Sequence, residues 1–409
     1  MDFNDSPEEA RFRARVRQWL SAHKPEPLQP GEDRIAWGKR WQNIKYSGGW
    51  GCPAWPAAWG GMDATPVQSM IFSEEEAGII APPDYGQSLN FGVIAPTLIT
   101  YMSPDQKKRF LPGIAAGREI WCQLFSEPAA GSDLAGVVTR AVRDGDEWII
   151  NGQKTWTTQA QYADFGILLA RSDPAIAKHR GLTFFFLDMK SAGIEVKPIR
   201  QINGEQSFNE VWLTDVRIPD HQRLGEVGEG WKVALHTLMN ERVASGAKRA
   251  NQALDTARLM RIATATALET GNALANDAVR DRIADYYVTE TGLRYTMARA
   301  RTAVAKGGAP GPENSIIKLV AGKNAQNMAS DCMDLLGLCG AAMEETGMPD
   351  ADLLPKAWLS APGGRLAAGT DEILLNILAE RVLGLPQEIR RDKDRPFQDI
   401  PRGPGMKER

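Results

Sequence analysis

The chain has 409 residues, a net charge of −3, an apolar share of 43% and a charged share of 24%. That length supports two or three domains with sizeable cores, and the near-neutral balance provides no field that would favour nucleic acid or an anionic membrane. The four cysteines, Cys52, Cys122, Cys332 and Cys339, form no CxxC pair, and the four histidines do not cluster with them. The expectation is reduced, buried thiols, a cytoplasmic setting and no metal site.

The first residues, Met1 to Glu9, are acidic and lack the apolar centre of a secretory signal. No apolar run reaches the roughly 18 residues of a membrane span. Ser6-Pro7-Glu8-Glu9 reads as a helix start: a capping hydroxyl, Pro in the first turn, then acids at the positive end of the helix dipole. Phe12, Val16, Trp19 and Leu20 follow at helical spacing. A loop rich in Gly, Pro and Trp occupies Gly48–Gly61, and Ser103–Pro112 opens another helix.

From about Ile120 the texture changes to strands and turns. Arg140–Arg143 and Glu147–Ile150 read as a hairpin about Asp144-Gly-Asp146. Leu182–Leu187, Ile194–Lys197 and Glu210–Leu213 are further strands, and their spacing suggests a small β-barrel or sandwich. Helical patterns return in Trp231–Thr270, Asp277–Lys306 and Asn314–Leu336, with a Gly-Pro break at Gly307–Pro312. The fold class is therefore α+β: an N-terminal helical domain (1–119), a middle β-domain (120–229), a C-terminal helical domain (230–385) and a charged, Pro-rich tail (386–409) expected to be an extended arm.

Two stretches carry chemistry. In Leu124-Phe-Ser-Glu-Pro-Ala-Ala-Gly-Ser-Asp133, Gly131 permits close backbone approach to a ligand, and Ser126 and Ser132 place hydroxyls on either side of it. In Asn151-Gly-Gln-Lys-Thr-Trp-Thr-Thr158 the Asn-Gly pair reads as a turn opening a strand. Alternation puts Trp156 and Thr158 on one face of that strand. An aromatic plate beside a hydroxyl suits the flat face and polar edge of a flavin, whereas either stretch alone favours the reading of an ordinary hairpin.

The two motifs in this order, with Asn209–Pro219, Gly228-Glu-Gly-Trp231, Gly369-Thr-Asp-Glu372 and Ala379–Leu385, resemble the acyl-CoA dehydrogenase family over nearly the whole chain. The resemblance implies that the C-terminal domain is a four-helix bundle. It also implies FAD, an acyl-CoA substrate, an electron-transfer flavoprotein as acceptor, and a homodimer or homotetramer, with a heterotetramer as the alternative. It places Phe125, Ser126, Gly131, Ser132, Trp156, Thr158, Gly369, Thr370 and Glu372 around the cofactor, and Ser132 and Arg242 at the substrate.

Such a reaction needs a carboxylate to take the α-proton, a flavin to take the β-hydride, and donors for the enolate oxygen. The family has two homes for the base. One, directly before Gly369-Thr370, is Ala368 here, which can offer only its backbone N–H to the thioester oxygen. The other is Glu241 of the Glu241-Arg242 pair, a pattern similar to the isovaleryl-CoA and long-chain branch. Ala234, Leu238, Glu241 and Ser245 share one helix face, where a carboxylate is costly unless paired or functional. A surface Glu or a structural Glu–Arg pair is the plainer alternative, and Asp371 and Glu372 are the other acids at hand.

The chain departs from the family in two places. An Arg-x-x-Phe-Gly motif is missing from the shortened Glu269–Arg282 region, and Asp334-Leu-Leu-Gly-Leu-Cys-Gly340 replaces a more glycine-rich signature. Arg391-Asp-Lys-Asp394 resembles the tails of divergent bacterial members that pair two different subunits and act on bulky groups such as steroid side chains. Rival functions are a flavin oxidase or monooxygenase on the same fold, and a non-catalytic partner subunit.

Overall fold

The computed structural model describes residues 5–79, 87–249, 254–269, 271–305, 313–341, 353–387, 389, 392 and 394–401. The chain divides into two compact units. Met1–Ile199, Gln206–Glu241 and Ile389–Arg409 form the first, and Arg200–Glu205 with Arg242–Glu388 form the second.

The first unit begins with helices α1 (Pro7–Ala22), α2 (Arg34–Ser47) and α3 (Pro66–Ala77). Ser6 and Glu9 form a reciprocal capping box on α1, as do Thr65 and Gln68 on α3. The spacing read from the sequence meets its core here: Phe12, Val16 and Leu20 are buried with Trp41, Trp50, Ile71 and Phe72, and Trp19 packs against them. A short α4 (Gln87–Leu89) passes through a π turn, Asn90–Ile94, into α5 (Ala95–Tyr101), and α6 (Pro104–Ala115) follows.

The β-domain contributes β1 (Trp121–Leu124), β2 (Arg140–Asp144), β3 (Glu147–Thr158), β4 (Phe165–Arg171), β5 (Leu182–Asp188), β6 (Ile194–Ile199) and β7 (Phe208–Pro219). The predicted hairpin is β2–β3, with Asp144 opposite Glu147. The order along the sheet is β1-β4-β2-β3-β7-β6, and β5 pairs with the other edge of β4. β1 runs parallel to β4, from Trp121 opposite Phe165 to Leu124 opposite Leu168. Continuous apolar runs in β4 and β5 are buried on both faces, as strands covered on both sides require.

Asn151-Gly152 is not a turn. It lies inside β3, where the register with β7 shifts between Ile150 and Gly152. A Cβ at Gly152 would sit 2.3 Å from Thr139 Oγ1 and 2.7 Å from Thr139 Cα, so glycine is required by a close strand neighbour rather than by a reversal of the chain. Asn151 spends its amide on Asp215, donating from Nδ2 at 2.9 Å and accepting from its N–H at 3.0 Å.

Helix α7 (Gly230–Arg249) carries Val233 and Ala234 into the core of the first unit. The pattern through Thr270 is not one helix. After residues outside the description, Asp255 caps a new helix, α8 (Thr256–Ala265), by accepting from Arg258 N. A small hairpin, β8 (Ala267–Leu268) with β9 (Gly271–Asn272), then precedes α9 (Asp277–Ala305). The second unit continues with α10 (Glu313–Leu336), α11 (Leu354–Leu366) and α12 (Asp371–Ile377). Its core joins Leu259, Ile262, Ile283, Tyr286, Met328 and Cys332. The predicted break at Gly307–Pro312 lies outside the described residues.

Three cysteines are buried as expected, but Cys339 is exposed on a 3-10 turn (Gly337–Ala341) that ends α10. The tail is not wholly a free arm, because Phe397 is 3% exposed. No helix among the described residues is long and apolar enough to cross a membrane.

Candidate active site

In the first unit, β1 leads directly into the turn that carries Phe125, Ser126, Gly131 and Ser132. The turn is tight: Glu127 and Ala130 exchange backbone hydrogen bonds, each 3.0 Å. Phe125 is buried against Phe184, while Gly131, Ser132 and Asp133 are exposed. A Cβ at Gly131 would meet nothing within 4 Å. Its missing side chain therefore relieves no crowding within the chain and leaves the space above the turn open.

A buried ion pair anchors the turn from below. Lys154 Nζ on β3 donates to Glu127 Oε1 at 2.8 Å, to Phe125 O at 2.9 Å and to Leu169 O at 2.8 Å. Glu127 accepts in addition from Val138 N at 2.6 Å and Thr139 N at 2.9 Å. The two side chains are 0% and 2% exposed. Burial pushes the Glu127 carboxyl upward, but the Lys154 charge and these hydrogen bonds outweigh it and hold the group below the ordinary carboxylate range. Burial wins at Lys154, whose ammonium lies below its ordinary value despite Glu127.

This pair was the main omission of the sequence reading, although both residues stand inside the two quoted motifs. Lys154, the lone charge of its motif, and Glu127, one of two acids in the other, were the available signal.

β3 bulges between Lys154 and Thr157, and Trp156 sits there at φ +58°. A left-handed backbone costs an L-residue about 1–2 kcal/mol and is concentrated at functional positions. Trp156 is 58% exposed, braced edge-on by Phe208 at 6.0 Å. Thr158 is partly exposed and Thr157 between them is buried, so Trp156 and Thr158 share a side despite the bulge. Thr157 Oγ1 and Asn209 Oδ1, at paired positions of β3 and β7, are buried without a hydrogen-bond partner. An exposed plate, a partly exposed hydroxyl on the same side and an open turn fit the planar, polar-edged ring of a flavin.

Glu241 lies on α7 in the same unit, with buried Ala234 and Thr237 and partly buried Leu238 on the turns before it. Its Oε2 accepts from Gln123 Nε2 on β1 at 3.3 Å. The carboxylate is thus tied to the strand that runs into Phe125 and Ser126. Gln123 was not anticipated, and only its place two residues before Phe125 could have suggested it. The side chains of Arg242 and Ser245 lie outside the described residues.

The late motif belongs to the second unit. Ala368 at φ +54° and Gly369 at φ +91° form two successive left-handed residues, and Thr370 Oγ1 then caps α12 by accepting from Ile373 N at 3.3 Å. Lys318 Nζ donates to Gly369 O. Asp371 is occupied by Arg365, whose Nε is 2.7 Å from Oδ2. Glu372 is exposed, and hydrogen bonds from its own backbone N–H and from Thr370 hold its carboxyl below the ordinary range.

Comparison with known proteins agrees across the chain. The acyl-CoA dehydrogenase N-terminal domain matches residues 6–118, the middle domain 122–216 and the C-terminal domain 228–383. Acyl-CoA dehydrogenase IpdE1 of Mycobacterium tuberculosis is 35% identical over 395 residues, covering 93% of this chain and 98% of that protein. Acyl-CoA dehydrogenase FadE34 of the same organism is 36% identical over 340 residues, 82% of this chain but 44% of that longer protein. Among solved structures, the ChsE4-ChsE5 complex of M. tuberculosis superposes with a TM-score of 0.78 at 27% identity, over 95% of this chain and 100% of that one. The Tcur3481-Tcur3483 steroid acyl-CoA dehydrogenase gives a TM-score of 0.80 at 26% identity, with the same coverage. The chain belongs to the acyl-CoA dehydrogenase family and is an oxidoreductase of that class.

Proposed function

We propose that the chain uses FAD to convert an acyl-CoA to a trans-2-enoyl-CoA, with Glu241 as the base that takes the α-proton. The observation that carries this reading is the Gln123–Glu241 hydrogen bond of 3.3 Å, which ties a partly buried carboxylate on α7 to the strand feeding the Phe125–Ser126 turn. The bound flavin would supply the acceptor for the β-hydride. Phe125, Ser126, Gly131, Ser132, Trp156 and Thr158 would hold it from the first unit, the exposed Trp156 face and Thr158 hydroxyl meeting its ring and edge. Gly369, Thr370 and Glu372 are assigned to the same cofactor by family resemblance, as are Ser132 and Arg242 to the substrate. Ala368 would contribute only its N–H, polarising the thioester carbonyl. The domain division at 119, 229 and 385 is part of this reading.

The steroid enzyme among the similar structures favours a bulky, polycyclic acyl group over a simple fatty chain. The ChsE4-ChsE5 likeness favours assembly with a second, related polypeptide, and an electron-transfer flavoprotein is the proposed acceptor.

Anaerobic titration of the purified protein with straight-chain and steroid acyl-CoAs, following flavin absorbance, tests the reaction. Bleaching by a steroid thioester is expected, while rapid reoxidation by dioxygen without acyl-CoA reduction would favour an oxidase. Glu241→Gln keeps size and removes the proton acceptor. It should retain FAD and bind acyl-CoA, yet lose a factor on the order of a hundred in reduction rate. Reduction at the wild-type rate would remove Glu241 from the role.

A further inference from the structure

Within the tail, Asp392 and the segment 394–398 have no part in the reaction as described, yet the structure gives them partners. The tail returns to the first unit and pairs with the loop between β4 and β5. Phe397 N donates to Ile176 O and Gln398 N to Pro174 O, each at 2.9 Å, and Pro396 bridges Ala177. Two tail side chains then meet the groups that hold the Ser132 turn.

The first is Asp392, which accepts from Lys178 Nζ. Lys178 also donates to both carboxylate oxygens of Asp133, at 3.0 and 3.1 Å. Lys178 is 9% exposed and Asp133 is 62% exposed. A nearly buried ammonium is poorly compensated by one water-exposed carboxylate, so the second carboxylate, from the far end of the sequence, completes its neutralisation. Burial lowers the Lys178 value, and the hydrogen bonds to Asp392 and Asp133 reverse this to a net rise.

The second is Phe397, whose ring centroid lies 3.6 Å from the Arg171 guanidinium carbon. Arg171 is 3% exposed. It donates to the carbonyls of Ala135, Val137 and Lys178. Those carbonyls lie on the far limb of the Ser132 turn and on the loop that presents Lys178. The ring shields these charged hydrogen bonds from water and adds a cation–π contact.

We propose that Asp392 and the tail segment 394–398 form a strap that fixes the Ser132–Val137 limb of the cofactor turn, with Asp392 and Phe397 as positioning residues acting through Lys178 and Arg171. The proposal rests on the reading that this turn binds flavin.

The test uses the full chain and the variants Asp392→Asn, Asp392→Glu and Phe397→Leu. Backbone hydrogen exchange at Gly136 and Val137 is read without cofactor, and FAD affinity is read by flavin fluorescence quenching. Asp392→Asn should accelerate exchange at these amides and weaken FAD binding by about fivefold each, the scale of a partly exposed ion pair. β3 and β7 should exchange as in wild type, and Asp392→Glu should restore both readouts. Phe397→Leu, which keeps an apolar plug but removes the ring, should loosen the same amides. Unchanged exchange and unchanged FAD affinity in both Asp392→Asn and Phe397→Leu would overturn the strap. Faster exchange with unchanged FAD affinity, or uniform loosening across β3 and β7, would reduce the tail to a structural clasp and also overturn it. A wild-type protein that binds no FAD defeats the functional reading instead, whatever the exchange shows.

Discussion

Lys154 and Glu127 show how a single buried pair can fix a loop. Lys154 spends its three donors on Glu127 and on the carbonyls of Phe125 and Leu169. Replacing it with Met leaves Glu127 as an uncompensated charge, a loss of about 3–5 kcal/mol. Denaturant unfolding of Lys154→Met should show that loss, and adding Glu127→Leu should recover most of it. The pair also sets an acid limit. Glu127 titrates in the fold below its ordinary value near 4.5, so its stabilisation is complete above that value and is lost as pH falls through the folded one. Thermal scans from pH 6 down to about 3 should show Glu127→Gln losing less stability than wild type on acidification; parallel losses would contradict the assignment. Trp156 and Thr158 were legible as neighbours on one face because alternation is local. The left-handed backbone at Trp156 was not, because it follows from the bulge against β7.

At the scale of elements, β3 combines two register shifts with a pairing partner about sixty residues away in β7. Gly152 makes the first shift possible by admitting Thr139. Gly152→Ala would drive a methyl into Thr139 Cα and Oγ1, with an expected loss of about 1–3 kcal/mol in equilibrium unfolding; a neutral result would mean that the chain leading into β2 yields freely at Thr139. Helix starts were the most readable elements, since Ser6, Pro7 and Glu9 act within one turn. The α7–α8 interruption was not read, because small and apolar residues continue at helical spacing through it, although Asp255 is an N-cap in plain view.

For the whole molecule, the second unit presents Val288 and Tyr295, 68% and 48% exposed, two turns apart on one face of α9. We predict a dimer or larger assembly in solution and assign Val288 and Tyr295 to its interface. Light scattering coupled to size exclusion should find at least two chains per particle, and Val288→Glu should shift it towards the monomer. A wild-type monomer at micromolar concentration would refute this.

The sequence by itself determined the α–β–α order, the helix starts at Ser6 and Ser103, the core face of α1, the two glycine- and aromatic-bearing motifs and the vacancy at Ala368. Each of these depends on residues within a turn or a strand of one another, or on a contiguous motif. Tertiary structure alone decided that Glu127 meets Lys154, that Gln123 holds Glu241, and that the tail returns to Lys178 and Arg171. Those contacts join residues from 27 to more than 200 positions apart, and no periodicity in a chain encodes which distant charge will share a buried site.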